Sequence, residues 1–201
     1  MDLNLRGLIY RILIDPLLSG VRAGIIGNID KGNRVIDIAC GTGSLALSLA
    51  GLADHVTGID LDEKLISYAS GRANNKGLRN RVQFELRNAA SLSCYRDGEF
   101  DVAVTSMSVH QFEPDLAVKV LREMKRIAST VIIADYNCPM PAGFSRSLAY
   151  TIERMARGDH YRNFRGYMKN GGLGYFTGLA GLTMKSTTVK GNGVFVVAVC
   201  E

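Results

Sequence analysis

Two glycines and two aspartates define the chemistry this chain can support. Gly41 and Gly43 stand two apart in the run Val35-Ile36-Asp37-Ile38-Ala39-Cys40-Gly41-Thr42-Gly43-Ser44. Glycines in this pattern permit a tight turn and a close backbone approach to a ligand. Asp37 precedes them, and Asp60 follows Gly43 by 17 residues, at the end of His55-Val56-Thr57-Gly58-Ile59-Asp60. An acid at that place can accept hydrogen bonds from both ribose hydroxyls of an adenosine-type cofactor. The plainer use of Asp60 is to cap the next helix, but Asp62 and Ser67 are nearby for that. His110 lies past a later apolar run and is a candidate general base, because an unperturbed imidazole titrates near pH 6.5. It is equally suited to line the site or to cap the helix opened by Pro114. His160 is a second candidate base, whereas His55 enters a strand far from these residues.

These residues need strands and helices to hold them. Val35 to Ile38 is a short β-rich run of the kind buried in a parallel sheet, and Leu45 to Ala50 is helix-prone. Strand, glycine turn and helix together make a cofactor-binding corner. Glu63 to Lys76 is helical and ends at Asn74-Asn75-Lys76-Gly77. Val82 to Leu86 alternates like a strand and is followed by Asn88-Ala89 and a polar loop containing Asp97-Gly98. Phe100 to Thr105 is a strand that empties into Ser106-Met107-Ser108-Val109-His110. Pro114 opens a helix with Leu116, Val120, Leu121, Met124 and Ile127 on one face. Val131 to Asp135 is a fifth strand. The alternation predicts a doubly wound α/β fold, with helices on both faces of the sheet.

The ends of the chain differ from this middle. Residues 3–28 have helical spacing interrupted at Pro16, with Asp15 as a cap for the second piece. These helices either cover the sheet edge or roof a pocket with Tyr10 facing in. Residues 138–181 break the strand–helix rhythm and carry Tyr150, His160, Tyr161, Phe164 and Tyr167. An insertion there sits over the carboxyl ends of the strands, where open sheets bind ligands. We therefore expect an acceptor pocket and lid involving Tyr10, His160, Tyr161 and Phe164. Two closing strands, Met184 to Val189 and Val194 to Val199, are joined tightly by Gly191-Asn192-Gly193 and must be antiparallel.

Composition sets limits on the rest. The chain has 201 residues, 47% of them hydrophobic, which suffices for one domain with a full core. We expect a single domain over 1–201, with N-terminal helices in 1–30 and the insertion at 138–181. No apolar run reaches the roughly 18 residues of a membrane span, and the N-terminus lacks the pattern of a signal peptide. Cys40, Cys94, Cys138 and Cys200 are scattered without a CxxC pair, which fits reduced thiols and a cytoplasmic location. The net charge is +5, but the basic residues are dispersed rather than gathered into a nucleic-acid patch.

Taken together, the motifs resemble those of the class I S-adenosylmethionine-dependent methyltransferases. VIDIACGTG is similar to their first motif, GID to their second and RNAASL to their adenine-binding segment. FDVAVTSMSVHQF resembles the motif that follows strand four in small-molecule members, especially those of ubiquinone and menaquinone biosynthesis. The closing hairpin matches the antiparallel seventh strand, so the resemblance implies a mostly parallel seven-stranded sheet. It also implies that Gly41 and Gly43 approach the methionine part of the cofactor, with Asp37 organising the turn. Asp60 would hold the ribose, Leu61 would pack on adenine, and Asn88 and Ala89 would flank the ring. The family usually has Asp at the position of Asn88, and Asn still offers an oxygen acceptor. Ser106 and Met107 would border the methionine moiety.

The implied activity is direct in-line transfer of a methyl group to an O, N or C atom of a small molecule, leaving S-adenosylhomocysteine. Rival readings are a NAD-dependent oxidoreductase, since GTGSLA also fits a dinucleotide fingerprint, and a module that binds the cofactor without catalysis. Against the oxidoreductase stand Asp37, the terminal hairpin and the lack of a Tyr-x-x-x-Lys pair. A P-loop is excluded because no lysine follows the second glycine. Metal-dependent catechol-type relatives place an acid at the end of strand four. Ser106 stands there, and Asp135 with Asn137 are too few for magnesium, so no metal is expected. Enzymes that methylate amino groups of DNA carry an Asn/Asp-Pro-Pro-aromatic motif after strand four, which is missing. A small-molecule partner is expected, with nucleic acid disfavoured, and either a monomer or a homodimer.

Overall fold

The computed structural model describes residues 15–156 and 158–201, so Tyr10 and most of the N-terminal helical run lie outside the described residues. The chain runs α1 (Asp15–Ile26), β1 (Arg34–Ile38), α2 (Ser44–Leu49), β2 (His55–Asp60), α3 (Glu63–Asn75), β3 (Val82–Leu86) and β4 (Phe100–Ser106). A 3-10 turn (Val109–Gln111) follows, then α4 (Pro114–Ile127), β5 (Ala128–Tyr136), α5 (Phe144–Ala156), α6 (Gly158–Asn170), α7 (Leu173–Ala180), β6 (Met184–Lys190) and β7 (Phe195–Cys200).

The strands form one seven-stranded sheet in the order β3-β2-β1-β4-β5-β7-β6. Strands β1 to β5 pair in parallel, while β7 is antiparallel to both β5 and β6. The central strands are buried on both faces, which is why β1, β4 and β5 read as continuous apolar runs rather than alternating ones. On α4, Ala117, Val120, Leu121, Met124 and Ile127 recur at helical spacing and are all buried. Pro114 supplies a fixed φ at its start, and Lys125 and Arg126 sit in its last turn, where the helix dipole favours cations.

Successive strands run outward from β1 to β3, and the chain then returns to place β4 on the other side of β1. That reversal opens a crevice at the carboxyl ends of β1 and β4, where doubly wound sheets bind ligands. Two non-glycine residues with left-handed backbone flank it, Ala39 after β1 (φ 56°) and Met107 after β4 (φ 58°). Each such residue costs about 1–3 kcal/mol and tends to be retained at working sites.

Within residues 138–181, where the sequence breaks the strand–helix rhythm, α6 is a regular helix. Its apolar face is made by Phe164 and Tyr167, both buried, with Tyr161 and Met168 beside them. Phe164 packs edge-on against Tyr136 and Tyr150, with centroids 5.1 and 5.0 Å away, and Tyr167 stacks on Phe176 at 5.7 Å. Full burial of one such ring stabilises the fold by about 1.5–3 kcal/mol. The helix is also tied to the turn after β4, because Asn163 Nδ2 donates to the Gln111 carbonyl (2.8 Å) and Arg162 pairs with Glu113 (3.2 Å). Among the described residues no helix is long and apolar enough to cross a membrane.

Candidate functional site

The corner begins with Asp37, whose register partners are Gly58 on β2 and Val104 on β4. Its carboxylate is buried, and Oδ2 has no hydrogen-bond partner. Burial pushes its pKa up to about 7, against an opposing hydrogen bond from the Ala46 N–H and with added repulsion from Asp60. A carboxylate in this state is short of a positive charge. Beyond it, Gly41 donates its N–H to Asp60 Oδ2 (2.9 Å), and Asp62 donates its N–H to Asp60 Oδ1 (3.0 Å). The first turn is thereby tied to the end of the second strand. Asp62 takes the capping role for α3 by accepting from the Lys64 and Leu65 N–H groups, leaving Asp60 to the turn.

The two glycines prove to have different neighbours. A Cβ on Gly41 would meet nothing within 4 Å, so the open approach for a ligand lies there. A Cβ on Gly43 would fall 2.5 Å from Phe84 and 2.9 Å from Ala69. Gly43 is thus needed for packing against β3 and α3, in addition to the left-handed backbone (φ 73°) with which it opens α2. Phe84 lies equally close to Gly58, and it is a part of the corner that sequence spacing did not reveal. Arg72 is another, since its guanidinium donates to the Thr42 carbonyl (2.7 Å) and to Ser44 Oγ (2.9 Å).

Leu61 is 68% exposed just past Asp60, an apolar surface beside a ribose-type acceptor. Asn88, Ala89 and Ala90 follow β3 on the same side. Asn88 Oδ1 accepts the Ala90 N–H (2.9 Å), which fixes the side chain and leaves a second lone pair on that oxygen beside the two amide hydrogens of Nδ2. The acceptor role expected of Asn88 from sequence would use the second lone pair of that oxygen. Ser106 and Met107 lie at the end of β4, where the Met107 N–H donates to the Ala134 carbonyl (2.8 Å).

His110 is placed next to this corner but is not open to it, being 1% exposed. Its Nδ1 lies 2.6 Å from Asp135 Oδ1, and its backbone N–H donates to Asp135 Oδ2 (3.2 Å). Its Nε2 faces Glu153 Oε1 at 3.5 Å. Burial lowers the pKa of His110, but the carboxylates of Asp135 and Glu153 outweigh it and raise the net value to about 9. With no cation beside it, a ring held between two carboxylates is stabilised in its protonated form. His110, the candidate base expected from sequence, is thus buried and held by Asp135 on one side with Glu153 on the other. Glu153 shifts the other way: burial raises its pKa, but the His110 and His160 rings beside it take it below the usual carboxylate range.

His160 completes this group from α6. Its Nε2 lies 2.9 Å from Glu153 Oε2, yet neither atom has a partner in hydrogen-bond geometry. Tyr136 donates its hydroxyl to Glu153 Oε1 (2.7 Å). Of the aromatic residues expected in an acceptor pocket, Phe164 is fully buried in the roof, Tyr161 is half-buried beside it, and Tyr10 lies outside the described residues. Glu153 was not singled out from sequence. The available signal was a carboxylate on the same helix face as Ala149, the sort of buried polar group that calls for an explanation.

The sheet order and the crevice define the class I S-adenosylmethionine-dependent methyltransferase fold. Residues 35–130 match the family described as a methyltransferase domain. The chain is 33% identical over 133 residues to a ubiquinone biosynthesis O-methyltransferase of Aromatoleum aromaticum, covering 64% of this chain and 56% of that protein. It is 38% identical over 120 residues to the 27-O-demethylrifamycin SV methyltransferase of Amycolatopsis mediterranei, covering 56% and 42%. The chain spans about half the length of the curated relatives it matches. Among solved structures it superposes on a SAM-dependent methyltransferase of Aquifex aeolicus with TM-score 0.66 and 17% identity, covering 92% and 90% of the two chains. At that identity the likeness is one of fold.

Proposed function

We propose that this chain is an S-adenosylmethionine-dependent methyltransferase acting on a hydroxyl group of a small molecule. The observation that carries the reading is the unpartnered Asp37 Oδ2 below an open glycine turn whose other end is tied to Asp60. A buried anion without a partner suits the ammonium of an amino-acid moiety. Asp60 retains lone pairs for ribose hydroxyls, Leu61 offers a flat apolar contact to adenine, and the Asn88 amide donates to a ring nitrogen. Gly43 supports the turn from behind, while Ala89, Ser106 and Met107 border the crevice. The hydroxyl acceptor is supported by the names of the similar O-methyltransferases.

The cofactor supplies a methyl group already activated on a sulfonium. The work of this chain's residues is then alignment of the acceptor and exclusion of water. In our reading residues 138–181 form the acceptor-side roof of a single domain. His110 acts as a positioning residue, fixing the turn after β4 to β5 through Asp135. A phenol or enol acceptor is acidic enough to need no strong base from the protein.

Calorimetry with S-adenosylmethionine and S-adenosylhomocysteine tests the binding half. Asp60→Ala should weaken both by about 1–3 kcal/mol, the cost of losing hydrogen bonds to a charged acceptor. Unchanged affinity in a folded variant would remove the site assignment. A screen of phenolic and quinol acceptors with methyl-labelled cofactor tests the transfer half. Tight binding with no transfer to any acceptor would instead support a non-catalytic module.

A further inference from the structure

One cluster in the roof is unexplained by cofactor binding. His110 Nε2, Glu153 Oε2 and His160 Nε2 are each buried and each lack a partner in hydrogen-bond geometry, although Glu153 stands at ion-pair distance from both rings and ligand atoms of the three residues lie within 4.8 Å of one another. An unpartnered buried polar atom is costly, and three facing one point call for a ligand.

We propose that His110, Glu153 and His160 form a binding site for one divalent cation of zinc type. Two imidazoles and a carboxylate are the donors that suit zinc and its neighbours rather than calcium or magnesium. The spacing fits as well. Bonds of about 2.0–2.1 Å in a tetrahedron put ligand atoms about 3.3 Å apart. Here Glu153 Oε2 lies 2.9 Å from His160 Nε2, His110 Nε2 is 3.5 Å from the other oxygen of the same carboxylate, and ligand atoms of all three residues lie within 4.8 Å of one another, a spacing that small side-chain shifts bring to a tetrahedral edge.

The atoms behind the ligands are already held, as metal sites require. His110 Nδ1 is bonded to Asp135 Oδ1 at 2.6 Å, which turns Nε2 toward the centre. Glu153 Oε1 accepts the Tyr136 hydroxyl at 2.7 Å, which leaves Oε2 facing inward. Charge points the same way. Asp135 and Glu153 together carry two negative charges beside two imidazoles, and one divalent cation balances them with both rings neutral. Access runs past His160, whose side chain is 34% exposed while the others are buried. Three protein ligands leave a fourth position for water or another oxygen ligand. The site joins the turn after β4 to α5 and α6, and Asp135, considered with Asn137 as a magnesium ligand in the sequence, stands behind His110 rather than among the ligands. It stands whether or not the methyl-transfer reading holds.

The test uses the full chain without a histidine tag. Metal content is measured by plasma mass spectrometry, and zinc affinity by competition with a chromophoric chelator. Cobalt loading of the chelator-stripped protein gives an optical readout of coordination. We expect about one zinc or cobalt ion per chain and a visible cobalt spectrum of four-coordinate intensity. His160→Gln and Glu153→Gln should abolish stoichiometric binding, and Tyr136→Phe should weaken it roughly 10- to 100-fold, as loss of an outer partner does. His160 is partly exposed, so its variant should fold, and circular dichroism on the stripped protein checks this. If the wild-type chain binds no stoichiometric zinc or cobalt, the proposal is overturned whatever the variants do. Equal zinc affinity in wild type and folded His160→Gln overturns it too. The cluster is then an ion-pair network in which protons on the two histidines balance the carboxylates.

Discussion

At the scale of single residues, Asp37 makes a pH-dependent contribution whose sign is opposite to that of most carboxylates. Its folded pKa of about 7 lies above the ordinary value of 3.8. The protonated form is the one the ligand-free fold prefers, so its contribution is fully present below about pH 4. It is lost as the pH rises through 7, on the order of 1.4 kcal/mol per pH unit across that window. Denaturant unfolding of wild type and Asp37→Asn from pH 5 to 8, without cofactor, should show the variant gaining on wild type as the pH rises. S-adenosylmethionine affinity should change in the other direction, weakening for wild type below about pH 7 because an ammonium needs the carboxylate ionised. A stability difference that does not vary with pH would mean that Asp37 is not titrating in this range. The glycines separate in the same way. Gly41→Ala meets open space and should cost only the left-handed backbone term, about 1–2 kcal/mol, while impairing cofactor binding. Gly43→Ala runs into Phe84 and Ala69 and should lose a further 1–3 kcal/mol or so through overpacking. Chemical denaturation and calorimetry on both variants check the pair, and wild-type affinity in Gly41→Ala would contradict the open-approach argument.

At the scale of elements, the loop from β3 to β4 has no helix of its own, and α4 holds it. Glu123 Oε2 accepts the Leu92 N–H (2.7 Å), while Arg126 donates to the Leu92 carbonyl (2.9 Å), the Tyr95 carbonyl (3.0 Å) and Asp97 (2.7 Å). These bonds fix the segment that follows Asn88. Arg126→Ala should therefore destabilise the fold by roughly 1–3 kcal/mol, since it leaves part-buried carbonyls without donors. It should also raise amide exchange across residues 88–99 and weaken cofactor binding. Unaltered exchange in that loop would show that α4 does not hold it. This clamp also shows where sequence reading stops. The glycine corner was legible because each requirement was local: an apolar strand, a turn that tolerates left-handed backbone, and an acid at a fixed distance. Glu123 and Arg126 are three apart on a helix and resemble any surface pair. Helix α6 is hard to read in the sequence because its arginines obscure an apolar face carried by few residues, which packs on Tyr136, Tyr150 and Phe176 from distant parts of the chain. The pairing of His110 with Asp135 crosses 25 residues and depends on β4 and β5 being neighbours, which no spacing along the chain records.

At the scale of the whole molecule, the choice between a methyl donor and a nicotinamide cofactor is a question of linkage. Both would place an adenosine on Asp60, and the second strand alone does not separate them. Asp37 does, because a dinucleotide carries no ammonium to place on that buried oxygen and would leave it unpartnered. A ligand that binds only the folded chain stabilises it by about 2.7 kcal/mol at 100 times its dissociation constant. For a chain of this size that corresponds to a rise of roughly 5–10 °C in the melting midpoint. S-adenosylmethionine and S-adenosylhomocysteine share the amino-acid moiety and should both produce such a rise. NAD and NADP at the same concentrations should produce none. Asp37→Asn should reduce the shift from both adenosyl ligands while leaving the ligand-free melt sharp, since the substitution removes a buried charge without changing the shape of the core. A shift from NAD equal to that from S-adenosylhomocysteine would assign the crevice to a dinucleotide.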